Sequence, residues 1–416
     1  MAGDRGQARA DILRNRPLLT LMLGHFTVDM YVGLLPVLYP LLIGRFNVDL
    51  ATVGLVTLAY SGMASISQPF FGWVADRFGT RFIGLALIWT ASTYATIGFA
   101  PSFPILLALA AASGIGSGAY HPLGALNANA VIPPRSRNTA MSVYVTGGTL
   151  GVALGPLIGA FLFTVLGVHG TAVMFIPGVT IAIWMLFEMR SIALRRAPTR
   201  DATSAPVAQA PIPLVPLIAV ILLMMSRSWT VFSIEAFVPT WYKSLGYGPS
   251  FYGALSTTIV LASALGTIGS GTLADRYGRR AVIIGSLFLS VPVVLLFAQF
   301  TGPIGFLTGA LVGFLAASTA PLMLVMAQQL MAGRAGLASG MILGLGFVTG
   351  AIGTPVMGAL ADHFGFQTAM RFQVVIIVAT IFVAFLLPTE ARLQALAREQ
   401  STPAPPGTPR LAEASD

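Results

Sequence analysis

Gly72-Trp73-Val74-Ala75-Asp76-Arg77-Phe78-Gly79-Thr80-Arg81 returns 199 residues later as Gly271-Thr272-Leu273-Ala274-Asp275-Arg276-Tyr277-Gly278-Arg279-Arg280. The same offset aligns the chain with itself without a gap from Pro40 to Gly159. Pro40 meets Pro239, Gly54 meets Gly253, Pro104 meets Pro303, Gly114 meets Gly313, Pro122 meets Pro321, Pro156 meets Pro355 and Gly159 meets Gly358. Glycine and proline set backbone geometry and how closely helices approach. Their coincidence therefore predicts two halves built to one plan.

The solvent of those halves follows from composition. The chain has 416 residues, of which 56% are hydrophobic and 9% charged, whereas soluble domains carry roughly 25% charged residues. A helix needs about 20 residues to cross the hydrocarbon core. On that ruler twelve spans are predicted: 17–44, 50–75, 82–100, 103–131, 139–166 and 171–189 in the first half, then 214–243, 250–274, 281–299, 303–331, 337–361 and 371–388 in the second. The expected organisation is an all-α membrane protein of two pseudo-symmetric six-helix bundles, 17–189 and 214–390. A cytoplasmic tail over 1–16, a cytoplasmic linker over 190–213 and a disordered cytoplasmic tail over 391–416 complete it, with one short helix foreseen through Arg392 and Arg398. The first apolar stretch is too long for a cleaved signal and contains Asp29, so it reads as a spanning helix.

Orientation follows from the basic residues. Nineteen of the 23 Lys and Arg residues fall in the tails, the linker and the loops on one side, against Arg45, Lys243 and Arg371 on the other and Arg227 within a span. Both termini are thus expected in the cytoplasm of a bacterial inner membrane. The formal charge of +9 reflects topology, and no nucleic-acid partner is expected.

Ionisable groups deep in a membrane are costly and mark function by default. Asp29 lies near the middle of the first helix, with His25 one turn earlier on the same face. His121 lies in the fourth helix, Arg227 near the middle of the seventh, and Glu235 eight residues further, about 12 Å nearer the outside. Two acids and one permanent cation leave one carboxylate without a strong partner if Arg227 pairs with the other. The spare acid is then free to load and release a proton. In this reading Asp29 carries the proton, His25 and His121 relay it or bind substrate, Arg227 captures an anionic group with its planar fork, and Glu235 pairs with Arg227 when the site is empty. Asp76, Arg77, Asp275 and Arg276 read as a gate latch on the inner face, with Gly72, Gly271, Gly79, Gly278, Arg81 and Arg280 completing the pattern.

The repeated G-x-x-x-D-R-x-G-x-R turn resembles the loop motif of the major facilitator superfamily. That resemblance implies two parallel repeats around a midplane site, with the first, fourth, seventh and tenth helices lining a cavity. In the fifth helix Gly151-Val-Ala-Leu-Gly155-Pro156-Leu-Ile-Gly159 resembles the G-x-x-x-G-P-x-x-G stretch of the superfamily's drug/proton antiporters, although Ser142 stands at the upstream glycine of the full pattern. Gly24-His25-Phe26, Asp29, Leu34-Leu35-Pro36, Tyr39-Pro40-Leu41-Leu42, Gln68-Pro69, Gly114-Ile-Gly116-Ser117 and His121-Pro122 are similar to the fosmidomycin resistance branch. This implies export of a small, phosphonate or otherwise anionic drug against protons. The alternative is proton-driven import of an organic or phosphorylated anion by the same Asp29 and Arg227. This chain departs from many drug/proton antiporters in having no Arg in its fourth helix.

Other classes are excluded by what the chain lacks. The single lysine, Lys243, sits in Pro239-Thr-Trp-Tyr-Lys243-Ser and makes no phosphate loop. Neither G-x-S-x-G nor H-E-x-x-H occurs, and there are no cysteines. The expected protein is a monomeric transporter rather than an enzyme, with no cofactor or metal, whose partners are lipid, protons and a small molecule. Alkaline phosphatase fused in the loops holding Arg45, His169, Lys243 or Arg371 is expected to be active. The same reporter fused at Arg190 is expected to be silent, and activity there overturns the topology.

Overall fold

The computed structural model describes residues 15–80, 83–131, 137–190, 212–331 and 335–401. Arg81, residues 1–14, the linker from 191 to 211 and the tail beyond 401 lie outside the described residues, as does the side chain of Asp76. The first half holds α1 (Arg16–Phe46), α2 (Leu50–Thr57 continued through a π-helical turn, Leu58–Gly62, into Met63–Phe78), α3 (Ile83–Phe99), α4 (Phe103–Val131), α5 (Arg137–Leu166) and α6 (Phe175–Glu188). The second holds α7 (Leu214–Ser244), α8 (Pro249–Tyr277), α9 (Arg279–Gln299), α10 (Ile304–Leu330), α11 (Ala335–Phe364) and α12 (Phe366–Ala384), followed by α13 (Glu390–Ser401).

Among the described residues, ten helical stretches are long and apolar enough to cross a bilayer. One of them, Val143–Glu188, is two spans, because α5 and α6 run in opposite directions. Gly147, Gly151 and Gly155 of α5 pack in turn on Met22, Phe26 and Gly33 of α1, so those helices are parallel. Along α6, by contrast, the Met174 carbonyl accepts from Tyr31 while Met185 lies against Gly24, so α6 is antiparallel to α1. The reversal occurs in the 3-10 segment Gly167–Met174. The shorter apolar Ile83–Phe99 spans about 26 Å and makes the twelfth crossing.

The repeat is visible as equivalent contacts. A Cβ on Gly114 would lie 2.1 Å from the Tyr60 carbonyl, and one on Gly313 2.2 Å from the Ile259 carbonyl, its counterpart 199 residues on. Between halves the relation is reciprocal. Gly54 of α2 packs on Pro355 of α11, and Gly253 of α8 packs on Pro156 of α5. Only glycine admits such backbone contact.

These interdomain contacts belong to one end of the molecule. One continuous apolar core joins the first half to Ile234–Tyr242 of α7, Tyr252–Ile259 of α8 and Met357 of α11. A second core, around Leu217–Met224, Met323–Met331 and Ile342, stays within the second half on the side of the repeated motif. Among the described residues, the polar bonds that cross between halves also lie at the end away from the motif. Asp362 at the end of α11 accepts from the Leu50 and Ala51 amides at 3.0 and 2.9 Å, capping α2. Lys243 donates to the Pro40 carbonyl at 3.1 Å. In the same loop Asp49 accepts from the Thr52 amide at 2.7 Å, and hydrogen bonding by Thr52 holds the Asp49 carboxyl below its usual range. The halves are therefore joined at that end and diverge toward the motif.

At the motif end, Gly79 and Gly278 take φ of 76° and 84°, closing α2 and α8 in a backbone region that favours glycine. Arg77 lies 6.0 Å from the Trp73 and Phe78 rings, and Arg276 lies 5.2 Å from the Tyr277 ring. Asp275 is exposed and forms no ion pair among the described residues. Gly72 and Gly271, expected at close helix contacts, face open space, since nothing lies within 4 Å of a Cβ at either. The short helix foreseen through Arg392 and Arg398 is α13, whose Leu393 and Leu396, one turn apart, are buried in the second core. Glu390 ties α13 to the motif turn by accepting from the Arg279 amide at 3.2 Å and approaching its Nε at 3.6 Å.

Gly114→Val and Gly313→Val are each expected to destabilise the detergent-solubilised protein by about 1–3 kcal/mol or more. Gly72→Ala is expected to leave the thermal midpoint essentially unmoved. Thermal unfolding followed by size-exclusion chromatography measures both.

Candidate functional site

α1 is surrounded by α4, α5, α6 and α7, so its polar face points into protein rather than lipid. Its helical spacing stacks His25 over Asp29, with His25 Nε2 3.2 Å from Asp29 Oδ2. α4 brings His121 to the other oxygen, with Nε2 3.4 Å from Asp29 Oδ1. Ser117, one turn before His121, lies 3.5 Å from the same nitrogen. The carboxylate is thus held between two imidazoles from two helices. The donor atoms of all three residues lie within 4.8 Å of one another, and the two rings address opposite oxygens, as two hydrogen bonds to one carboxylate would.

α5 supplies the third wall. His25 Nδ1 lies 3.0 Å from the Tyr144 carbonyl, and its ring stacks on Tyr144 with centroids 4.5 Å apart. A carbonyl only accepts, so Nδ1 carries a hydrogen. The Nε2 of a neutral His25 would then face Asp29 as one lone pair against another. The 3.2 Å contact therefore requires one proton more than a neutral imidazole and an ionised carboxylate hold together. The antiporter-like glycines let α5 approach: Gly151 abuts the Phe26 carbonyl, Gly155 abuts Gly33, and Gly159 abuts Leu34. Pro156 turns away from α1 to meet Gly253 of α8.

The site is neither sealed nor bare. The His25, Asp29 and His121 side chains are 12%, 17% and 29% exposed. Beyond them, toward the joined end, Tyr39 and Phe237 meet across the two halves with ring centroids 5.9 Å apart, and both are fully buried.

In the second half Arg227 occupies the position equivalent to Val28, next to that of Asp29, so the two charges sit at the same depth on α1 and α7. α10 is interrupted at Ser318 and Thr319, just before Pro321, where proline cannot donate to the preceding turn. Arg227 Nε donates to the Ala316 carbonyl beside this break at 2.9 Å. Its two terminal nitrogens have no hydrogen-bonding partner among the described residues. Glu235, expected to pair with Arg227, forms no ion pair with it. Glu235 lies eight positions further along α7, and α10 holds the Arg227 Nε instead. Arg227 and Glu235 remain close enough to interact electrostatically.

The structure therefore brings His25, Asp29 and His121 together and leaves Arg227 as a separate pole. Sequence reasoning missed Tyr144, which acts through its backbone, and Ala316, whose carbonyl is available because of the break. It also missed Asp362 and Lys243, which nothing in their local sequence marks.

The Major Facilitator Superfamily model matches residues 21–248 and 217–412. An uncharacterized MFS-type transporter of Bacillus subtilis (strain 168), YfnC, is 32% identical over 391 residues, 91% of this chain and 94% of that one. The fosmidomycin resistance protein of Escherichia coli (strain K12) is 28% identical over 361 residues, 84% and 87% of the two chains. Among solved structures, a bacterial homolog of the human lysosomal transporter Spinster, inward-facing and occupied, superposes with a TM-score of 0.77 at 16% identity, covering 94% of this chain and 99% of that one. The doubled motif turn, the reciprocal packing of two six-helix halves and a family match along both of them make this chain a member of the major facilitator superfamily.

Proposed function

We propose that this chain is a proton-coupled secondary transporter that works by alternating access and exports small anionic compounds, phosphonates among them, in exchange for protons. The single observation that supports a proton there is the His25–Asp29 contact, since a His25 that donates from Nδ1 to the Tyr144 carbonyl meets the carboxylate through Nε2. A proton held there neutralises Asp29, the acid near the middle of α1. Its release leaves a buried negative charge that disfavours the same arrangement, which is the differential binding any population shift requires.

Arg227 offers the complementary half of the exchange. Its terminal nitrogens form a fork suited to the two oxygens of a carboxylate, phosphonate or phosphate. An anion on that fork and a proton on Asp29 each cancel one midplane charge. Similarity to the Escherichia coli fosmidomycin resistance protein and, at 27% identity over 349 residues, to the multidrug resistance protein MdtG of Dickeya zeae (strain Ech586) supports drug export as the direction.

Alternating access is supported by unused glycines. α2 and α8 carry glycines near both ends, and those away from the motif, Gly54 and Gly253, are in tight contact with the opposite half. Gly72 and Gly271 at the motif end meet nothing. Rocking the halves together there would use them and bring the motif Asp and Arg residues into play as a latch, while opening the Asp362 cap on α2 at the other end.

In everted vesicles with an acidified lumen, adding fosmidomycin is expected to alkalinise the lumen as cargo enters and protons leave. Acidification on addition would assign symport, and absence of any cargo-dependent change would remove proton coupling. Asp29→Asn is expected to abolish the pH-gradient dependence of flux, and retained coupling would exclude Asp29 as the carrier. Arg227→Lys keeps the charge but loses the fork, and it is expected to raise the KM for anionic cargo about tenfold to a hundredfold, the equivalent of one charge-assisted hydrogen bond. An unchanged KM would move the anion elsewhere.

A further inference from the structure

The glycines of α5 that face α1 do not all perform the same task. A Cβ on Gly147 would lie 2.3 Å from the Met22 carbonyl, and one on Gly151 2.1 Å from the Phe26 carbonyl. Both positions permit backbone to approach backbone, and a methyl there would have to push two helices apart. Gly148 differs. A Cβ on it would lie 2.4 Å from Asp29 Oδ2, 2.5 Å from His25 Nε2 and 2.8 Å from His25 Cδ2. Its neighbours are the ends of two flexible side chains, at the point where they meet. The space the missing side chain leaves is the space into which the two side-chain ends reach.

The rest of the contact is supplied by the same helix. Tyr144, one turn before Gly148, holds His25 by its carbonyl and stacks on its ring, so the imidazole cannot rotate away without losing both. A methyl at position 148 would therefore be relieved by separating Asp29 from His25, leaving the carboxylate with His121 alone. Helix packing would be retained, because side-chain ends yield more readily than backbone.

We infer that Gly148 is a positioning residue for proton coupling, keeping open the volume in which Asp29 and His25 meet. This rests on the proton-coupled reading above, and the two can fail separately.

The test uses full-length protein in proteoliposomes with fosmidomycin as the probe, comparing wild type, Asp29→Asn and Gly148→Ala. Gradient-driven flux is measured across a pH series and set against counterflow without a gradient. Gly148→Ala is expected to lower the ratio of gradient-driven flux to counterflow about tenfold, the loss of one charge-assisted hydrogen bond, and to displace the pH midpoint. If Asp29→Asn is fully coupled, the underlying proton reading fails and Gly148 falls with it. If Asp29→Asn is uncoupled but Gly148→Ala keeps the wild-type pH profile, the inference about Gly148 alone is overturned.

Should Gly148→Ala not fold, His25→Ala/Gly148→Ala provides room for the methyl. Recovery of a monodisperse protein with the pH profile of His25→Ala supports the inference, since the two changes then act at one contact. Continued misfolding, or a profile displaced beyond that of His25→Ala, overturns it.

Discussion

A carboxylate far from bulk water must share its charge, and in this protein Asp29 shares it with two imidazoles. That requirement shapes the first half. His25 has to stand one helical turn away, His121 has to arrive from α4, and α5 has to come close enough for the Tyr144 carbonyl to orient His25. The close approach needs the glycine stripe of α5, which also places α1 at the centre of its bundle. A single ionisable group in oil thus accounts for the helix contacts, the glycines and the histidines together.

The scaffold is symmetric and its chemistry is not. Gly114 and Gly313 repeat one contact, Gly54 and Gly253 repeat another, and Gly79 and Gly278 end their helices in the same backbone conformation. At the depth of Asp29, however, the second half carries Arg227, held by the carbonyl of an interrupted α10. The two halves share a joined end, and at one depth the first carries an acid where the second carries a cation.

The joined end is held by means different from those of the motif end. Its aromatic layer, its continuous core and the Asp362 and Lys243 bonds all cross between halves. The motif turns instead engage their own helices and α13, through Arg77 on Trp73 and Phe78, Arg276 on Tyr277, and Arg279 on Glu390. Carboxylates capping a helix and an ammonium on a carbonyl are contacts that break and re-form without unfolding.

Much of this was legible in the chain itself. Twelve crossings, the two-half plan and the depth of His25, Asp29, His121 and Arg227 follow from local quantities: apolar run length, helical rise and the 199-residue register. The turn glycines were legible for the same reason, since a positive φ is a property of one residue. Tertiary structure alone decided which nitrogen met which oxygen, that Arg227 rests on Ala316 rather than on Glu235, and that Asp362 caps a helix more than 300 residues away. It also decided which of two similar glycines is pressed and which is free, as with Gly54 and Gly72 on one helix. Those outcomes depend on how the halves lean against each other, a degree of freedom that hydrophobic periodicity along a chain does not encode.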